Sequence, residues 1–173
     1  MLNSSPKTTH TRRRSCWGAK VEEKGRLKNL SSILLLPPIL REVFVAPRAA
    51  VAVIDPALDD AASALIARLL DDKSARRVDR PGELPFLVIA TESGVDAWLA
   101  RHGLPPRPEQ VRGRGTAQVW AGRDAAGRTH AVVAVRDAAA LRALERGLPH
   151  YGRQSWLVFD GGRAVAKGTL PPR

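Results

Sequence analysis

The sequence predicts a small α/β or α+β domain, in which a mixed β-sheet packs against about three helices behind a disordered basic N-terminal segment. Three observations favour this fold class. Apolar runs rich in β-branched residues alternate with helical spacings in the first half, and hairpin signals follow in the second. The chain has 173 residues, of which 44% are hydrophobic, which suits one domain plus a tail. Strands alternating with helices and then forming hairpins favour a mixed sheet over a purely parallel one.

Residues 1–48 differ from the rest of the chain. They hold 10 Lys/Arg and 3 Asp/Glu, a net of +7 out of the total of +11. Their polar, basic start has no sustained period and favours disorder. The apolar run Ser31–Leu40 is broken by two prolines and fits a signal peptide poorly, so a solvated tail or a mis-chosen start codon is the alternative. We therefore expect the domain to span residues 49–170.

The first strand and helix are predicted by adjacent signals. Ala50–Ile54 is a short apolar run, typical of a buried strand. Asp55 followed by Pro56 suits a helix N-cap and first helical residue. Apolar residues then recur at spacings of three and four, which predicts a helix from Pro56 to Asp72. Lys73–Pro85 is expected to be a charged connection.

The next unit repeats this order. Phe86–Ala90 is apolar throughout and is expected to be a central strand. Ser93 and Asp96 have the spacing of a capping box, which predicts where the next helix begins. Gly103 is expected to follow its C-terminus, because glycine readily adopts the left-handed conformation found there.

The second half predicts two hairpins around one helix. Strands Thr116–Ala121 and Thr129–Val135 flank a turn at Asp124–Arg128. The helix is capped by Asp137 and closed by Gly147. The last two strands, Ser155–Phe159 and Arg163–Lys167, are joined by an Asp-Gly-Gly turn, the residue type that tight hairpins favour.

Catalytic chemistry requires several polar groups brought together, and the sequence scatters them. The four histidines are His10, His102, His130 and His150, and none lies in an H-E-x-x-H pattern. Cys16 is the single cysteine and belongs to the predicted tail. Ser155 lies five residues from His150 but outside any G-x-S-x-G turn. We therefore assign no catalytic, metal-binding or cofactor-binding residue.

Basic residues indicate possible contact with a polyanion. Arg12, Arg13 and Arg14 lie close to Trp17 in the basic segment. Arg112 and Arg114 lie in a glycine-rich loop, which is followed by a predicted strand and not by the helix N-terminus that a phosphate cradle uses. A second patch is predicted to add Arg107 and Arg153 to these two loop residues.

The segment Leu148–Gly161, LPHYGRQSWLVFDG, resembles the C-terminal region of bacterial aminopeptidase-N-like zinc metallopeptidases. Phe86–His102 and residues 113–123 are similar to that region too, so the resemblance covers about Ala49 to Gly168. The family's H-E-x-x-H motif, downstream Glu ligand and exopeptidase glycine motif have no counterpart here. The resemblance therefore implies a non-catalytic accessory domain, truncated or detached, that packs against a peptidase body.

Two further hypotheses remain open at this point. One is a small basic nucleic-acid-binding protein that uses the arginine-rich segment and loop. The other is a stand-alone enzyme that uses Ser155 or a histidine. Location follows from the same choice: periplasmic if the family resemblance holds, and cytoplasmic if the N-terminus is not a signal. No apolar run approaches the roughly 20 residues of a membrane-spanning helix.

Overall fold

A computed structural model of the chain describes residues 39–70 and 75–171. Within them, seven strands form one sheet in the order β2-β1-β3-β5-β4-β6-β7. The strands are β1 Ala49–Val53, β2 Ala75–Arg77, β3 Phe86–Thr91, β4 Ala117–Arg123, β5 Thr129–Val135, β6 Trp156–Asp160 and β7 Arg163–Gly168. The helices are α1 Leu40–Phe44, α2 Asp59–Leu69, α3 Glu92–Arg101 and α4 Ala138–Gly147, with 3₁₀ turns at Pro56–Leu58 and Leu148–Tyr151.

The sheet is mixed, as predicted, and its two halves differ in strand direction. Strands β2, β1, β3 and β5 pair in parallel. Strand β4 runs antiparallel to β5 and β6, and β7 runs antiparallel to β6. Helical connections link the parallel strands because such strands need a long crossover, whereas tight turns suffice for β4–β5 and β6–β7. The predicted central position of β3, between β1 and β5, is confirmed.

Both faces of the sheet are covered, and each has its own apolar core. On the first face, Leu40, Val43 and the apolar sides of α2 and α4 pack against alternate strand residues such as Val119 and Val133. On the second face, Val95, Trp98 and Leu99 of α3 pack with the loop after it against the other set, which includes Trp120 and Val132. Burial on both faces explains why β3 and β5 are almost uninterrupted apolar runs.

The helix ends follow the sequence at three places and depart from it at two. Gly103 follows α3 with φ +65, as predicted. Asp55 accepts a hydrogen bond from the Ala57 N–H at 3.0 Å, and Asp137 accepts one from Ala140 at 2.8 Å, so both predicted caps are confirmed. The predicted capping box is wrong, because α3 begins after Thr91 and Asp96 binds an arginine instead. Gly147 ends α4 with φ −86, and the chain continues directly into a 3₁₀ turn.

Several boundaries also differ from prediction. The domain begins earlier than Ala49, because Leu40 and Val43 of α1 are fully buried. The helix predicted for Pro56–Asp72 starts as a 3₁₀ turn and ends at Leu69, while Asp72 lies outside the described residues. The charged connection after it contains β2, a three-residue edge strand. Residues 1–38 are outside the described part, so their predicted disorder stays a prediction.

We predict that Gly115→Ala lowers the free energy of unfolding by at least about 3 kcal/mol. Gly115 has φ +71, and a Cβ there would meet the Phe159 carbonyl oxygen and, at 2.7 Å, Cγ1 of Val158. Gly113→Ala is the matched control, since Gly113 has φ +63 but no atom lies within 4 Å of the position that its Cβ would take, and about 1 kcal/mol is expected. Urea denaturation of both variants tests this, and equal losses would contradict it.

Candidate functional site

The predicted polyanion contacts are only partly within the described residues. Arg12, Arg13 and Arg14 lie outside them. Arg112 and Arg114 are exposed on the loop before β4. Arg112 pairs with Glu109 at 3.4 Å, and Arg114 donates a hydrogen bond to the Gln110 carbonyl at 3.0 Å. Both guanidinium groups therefore already have local partners.

The predicted patch of four arginines does not form, because Arg107 is buried. Only 4% of its side chain is exposed, and it lies between α3 and β4. Arg153 is exposed beside α1, on a different part of the surface from Arg112 and Arg114. The four arginines could not be distinguished from the sequence, because no local pattern separates a buried arginine from an exposed one.

The candidate catalytic residues occupy separate places. His102 is the C-cap of α3 and contacts Trp98, with ring centroids 4.2 Å apart. His130 is buried in β5 and His150 is exposed in the second 3₁₀ turn. Ser155 is fully buried at the start of β6, which separates its hydroxyl from any substrate in solvent. Across residues 39–70 and 75–171, no three His, Cys, Asp or Glu side chains lie close enough to hold a metal ion.

Arg107 is the centre of a buried polar network. Its guanidinium makes five hydrogen bonds, to both carboxylate oxygens of Asp96, to the carboxylate and carbonyl of Glu92, and to the Gln118 side chain. Gln118 in turn donates to Glu92 at 2.6 Å and to the Arg114 carbonyl at 3.1 Å. All five N–H groups of the guanidinium are satisfied, so the buried charge is compensated.

The network fixes one wall of a pocket of about 420 Å³ on the second face of the sheet, which we call the His130 pocket. The prolines on either side of Arg107, Pro106 and Pro108, line this wall. His130 and Trp120 line it from the strands, and Leu170 and Pro171 line it from the segment after β7. Arg107 also lies over the Trp120 ring, 5.9 Å from its centroid.

Three side chains that line the His130 pocket have buried nitrogen atoms without hydrogen-bond partners among the described residues, and these atoms are closed off from solvent. They are Nε1 of Trp120 and both ring nitrogens of His130, and the Nε of Arg123, another lining residue, is in the same state. Trp120 is 1% exposed and His130 2%. Buried polar groups are nearly always partnered in folded proteins, so these nitrogens are exceptions among the described residues.

The surroundings of His130 keep its ring neutral at ordinary pH. Burial lowers the pKa of His130 to about 4, because the charged ring would lose its hydration. The charge of Asp124 and the nearby Arg128 backbone oppose this only partly. Gly122 pairs with His130 across the hairpin, and a Cβ at Gly122 would meet Nε2 of the ring at 2.7 Å. Glycine at that position therefore leaves the space that the ring occupies.

The formal charges of the lining residues Arg123 and Asp124 are paired. The Arg123 side chain lies on the first face with α1, where it binds the carboxylate of Glu42 at 2.9 Å, and the Thr129 hydroxyl donates to the same carboxylate at 2.7 Å. Burial would raise the pKa of Asp124, but hydrogen bonds from Arg128 and Ala126 and the charge of Arg128 outweigh it and lower that pKa. The charges of Arg123 and Asp124 are therefore each paired with an opposite charge.

A second cavity, of about 510 Å³, lies on the first face, and we call it the Arg153 groove. The segment 149–154 forms one side, while Arg41, Phe44 and Val45 form the other. The two sides are joined by backbone hydrogen bonds, from the Leu40 N–H to the Gln154 carbonyl at 3.0 Å and from the Arg41 N–H to the Gly152 carbonyl at 2.7 Å.

The Arg153 groove is positively charged. Arg41, Arg153 and Lys167 line it and are exposed, and they form no ion pair with another described residue. No acidic residue is among those that line it. Lys167 lies over the Tyr151 ring, 5.3 Å from its centroid. The groove therefore combines three cations with an aromatic floor.

A detached accessory domain is expected to expose the apolar face that its neighbour would cover. In the described part of the chain, the large hydrophobic side chains that are exposed are Val45, at 62%, and Val165, at 56%. Two valines do not make a broad apolar face, so a contact surface on this domain has to be mainly polar.

Comparison of the chain with models of known protein families finds no match, and neither does comparison with curated proteins. Among the helices of residues 39–70 and 75–171, none is long and apolar enough to cross a membrane. The His130 pocket and the Arg153 groove were not predicted from the sequence. One signal for the pocket was present, since His130 is a titratable residue directly before the apolar run Ala131–Val135.

We predict that Arg107→Met lowers the free energy of unfolding by about 2–4 kcal/mol, because it leaves buried Gln118 and two carboxylates without their partner. Arg112→Met is the control and should change it by less than about 0.5 kcal/mol, since that side chain is 53% exposed. Chemical denaturation distinguishes the two, and a loss below about 1 kcal/mol for Arg107→Met would refute the network's structural role.

A second prediction concerns pH. The unfolded chain binds a proton at His130 near its ordinary pKa of 6.5, whereas the folded chain binds it only near 4. Stability is therefore lost as pH falls from 6.5 to 4, by about 3 kcal/mol from this residue. His130→Leu should lose that much less between pH 7 and pH 4 in parallel denaturation curves. Carboxylate titration is common to both proteins, so superimposable pH profiles would show that His130 is not the cause.

Proposed function

We propose that this chain is a non-catalytic accessory domain, similar to the C-terminal region of bacterial aminopeptidase-N-like zinc metallopeptidases, that acts by docking on a peptidase body. The observation that carries this proposal is the Arg153 groove. The segment Leu148–Gly161, on which the resemblance mainly rests, supplies one whole side of it. The segment that carries most of the resemblance therefore also lines the surface that we propose for docking.

Charge determines the kind of surface that fits the groove. Arg41, Arg153 and Lys167 present three unpaired positive charges, so an acidic surface is complementary to it. Phe44, Val45 and Tyr151 add apolar area beside these charges, so a partner would bury an apolar centre within a charged rim. The proposed partner is therefore an acidic patch on a peptidase body that carries a few apolar side chains.

The position of the groove in the fold also supports docking. Residue 39 enters the domain beside it, and the first backbone hydrogen bonds of α1 are made to the groove segment. The groove therefore lies where the described part of the chain begins. The proposal covers both a truncated and a detached fragment.

The test is a binding measurement between the full chain and a bacterial aminopeptidase-N-like zinc metallopeptidase from which its own C-terminal region has been deleted. We expect a dissociation constant on the order of micromolar at moderate salt, as for a polar contact between domains. Combining Arg41→Glu, Arg153→Glu and Lys167→Glu should weaken binding at least about 30-fold, because it replaces attraction with repulsion.

The matched control combines Arg101→Glu, Arg142→Glu and Arg146→Glu, which changes net charge equally at residues outside the groove. It should weaken binding less than about threefold. Equal weakening by both sets, or no binding near about 100 µM, would count against docking through the groove. Tight, salt-sensitive binding to duplex DNA that is lost on deletion of residues 1–38, which leaves α1 in place, would instead support the nucleic-acid alternative.

A further inference from the structure

We propose that the outer edge of β7 takes an extended acidic segment of the docking partner as an added strand of the sheet. Strand β7 is the last in the sheet, and it pairs with β6 alone among the described strands. When a strand has one neighbour, alternate N–H and C=O groups point away from that neighbour and can bind another chain. The inference rests on the docking proposal for the identity of the partner, and it names the element that is bound.

The outer edge of β7 is continuous with the Arg153 groove. Lys167 of β7 lines that groove and lies over the Tyr151 ring, 5.3 Å from its centroid. Arg163, at the start of β7, is exposed and forms no ion pair with another described residue. A segment that leaves the groove at Lys167 therefore meets a strand that carries a second cation further along.

These two cations decide between the possible occupants of the edge. A second copy of β7 added antiparallel would bring Arg163 of one copy near Lys167 of the other, and like charges on facing strands destabilise their pairing. Residues 1–38 of the chain hold 8 Lys/Arg and 2 Asp/Glu, so they too are repelled. An acidic segment of another protein is attracted instead.

A bulge in β7 sets the spacing of the acidic residues. The pairing with β6 shifts by one residue at Val158/Phe159, which leaves Val165 as an extra residue on β7. Arg163 and Lys167 are four positions apart, but they pair with β6 residues that are three positions apart. A strand on the outer side of β7 meets the same bulge, so its acidic residues need a spacing of three, which places them on opposite faces.

Apolar surface lies between the two cations. Val165 is 56% exposed, and the partly buried Ala164 and Ala166 pack against the first and second apolar cores. In strand addition, main-chain hydrogen bonds give affinity and the neighbouring side chains give specificity. The proposed segment therefore has an acidic residue at each end of a four-residue span and β-branched residues between them.

The probe is the peptide acetyl-Ser-Glu-Val-Thr-Glu-Ser-amide, titrated into the full ¹⁵N-labelled chain and followed by NMR at the backbone amides. We expect the amides of residues 163–168 to shift with a dissociation constant on the order of 1 mM, as suits a short flexible peptide. The same peptide with Lys in place of Glu should bind at least about tenfold more weakly. Acetyl-Ser-Glu-Val-Glu-Thr-Ser-amide has the same composition but the wrong spacing, and it should bind about threefold more weakly.

Two N-methylated forms of the acidic peptide test for main-chain pairing. An added strand presents only every second N–H to β7. Methylation of one alternate set of nitrogens therefore removes the N–H groups that face β7, and methylation of the other set removes those on the free edge. One form should bind at least about tenfold more weakly, and the other should bind within about threefold of the parent peptide. Attraction by charge alone would not distinguish the two forms.

Charge reversal on β7 gives a matched pair of variants. Combining Arg163→Glu and Lys167→Glu should weaken binding of the acidic peptide at least about tenfold and strengthen binding of the lysine peptide by a similar factor. The control combines Arg76→Glu, on β2 at the opposite edge of the sheet, with Arg101→Glu at the end of α3. Both control residues are exposed, and the control should change either affinity by less than about twofold.

Strand addition is refuted if the amides of residues 163–168 do not shift up to about 10 mM acidic peptide, if the two N-methylated forms bind equally, or if the acidic and lysine peptides bind equally. Binding of the truncated peptidase together with any of these results would leave docking standing without the added strand. Peptide binding at β7 without binding of the truncated peptidase would support the added strand and refute the choice of partner.

Discussion

The second face of this sheet depends on one buried guanidinium. Arg107 lies in a twelve-residue loop, 104–115, that has no regular secondary structure to hold it in place. Its five hydrogen bonds join that loop to the start of α3 and to β4. A long loop inside a compact domain loses much conformational entropy on ordering, and a fully satisfied charge network offsets part of that loss. The proline wall of the His130 pocket therefore follows from the position of Arg107.

Pairing with an opposite charge also describes the other buried charged groups, and it distinguishes the two cavities chemically. Where charge is buried it has an opposite partner, as in the contacts of Arg107 with Asp96 and of Arg123 with Glu42. Among the residues that line the His130 pocket, the nitrogens without a partner belong to Trp120, His130 and Arg123, and the charge of Arg123 is paired with Glu42. The unpaired groups that line the Arg153 groove are cationic and exposed. The groove therefore presents unpaired charge to solvent, whereas the charges of the residues that line the pocket are paired.

The parts of the fold that sequence predicted are those set by local rules. Apolar runs located β1, β3 and β5, and turn residues located both hairpins, because period and turn chemistry act within a few residues. The parts that it missed depend on distant partners. Strand β2 is short and mostly charged, and it is a strand because Ala75–Arg77 pairs with the edge of β1. Helix α1 is buried by contacts with residues more than 100 positions away, such as Gln154 and Gly152.

The residues of the candidate site were also hard to predict from local sequence patterns. Asp96 has capping-box spacing from Ser93, yet its carboxylate binds Arg107 instead, since a bidentate pair with a buried cation is stronger than a local cap. His130 is a different kind of exception. Nothing in the fold requires an imidazole in β5, and leucine would fill a similar volume without burying unpartnered nitrogens, each of which costs about 1–3 kcal/mol. Gly122 lies opposite the ring, where a Cβ would meet it. The hairpin therefore has room for the imidazole because position 122 carries no side chain. The residue at 130 is therefore tied to one on the facing strand, and no period or turn rule that acts within a few residues relates the two.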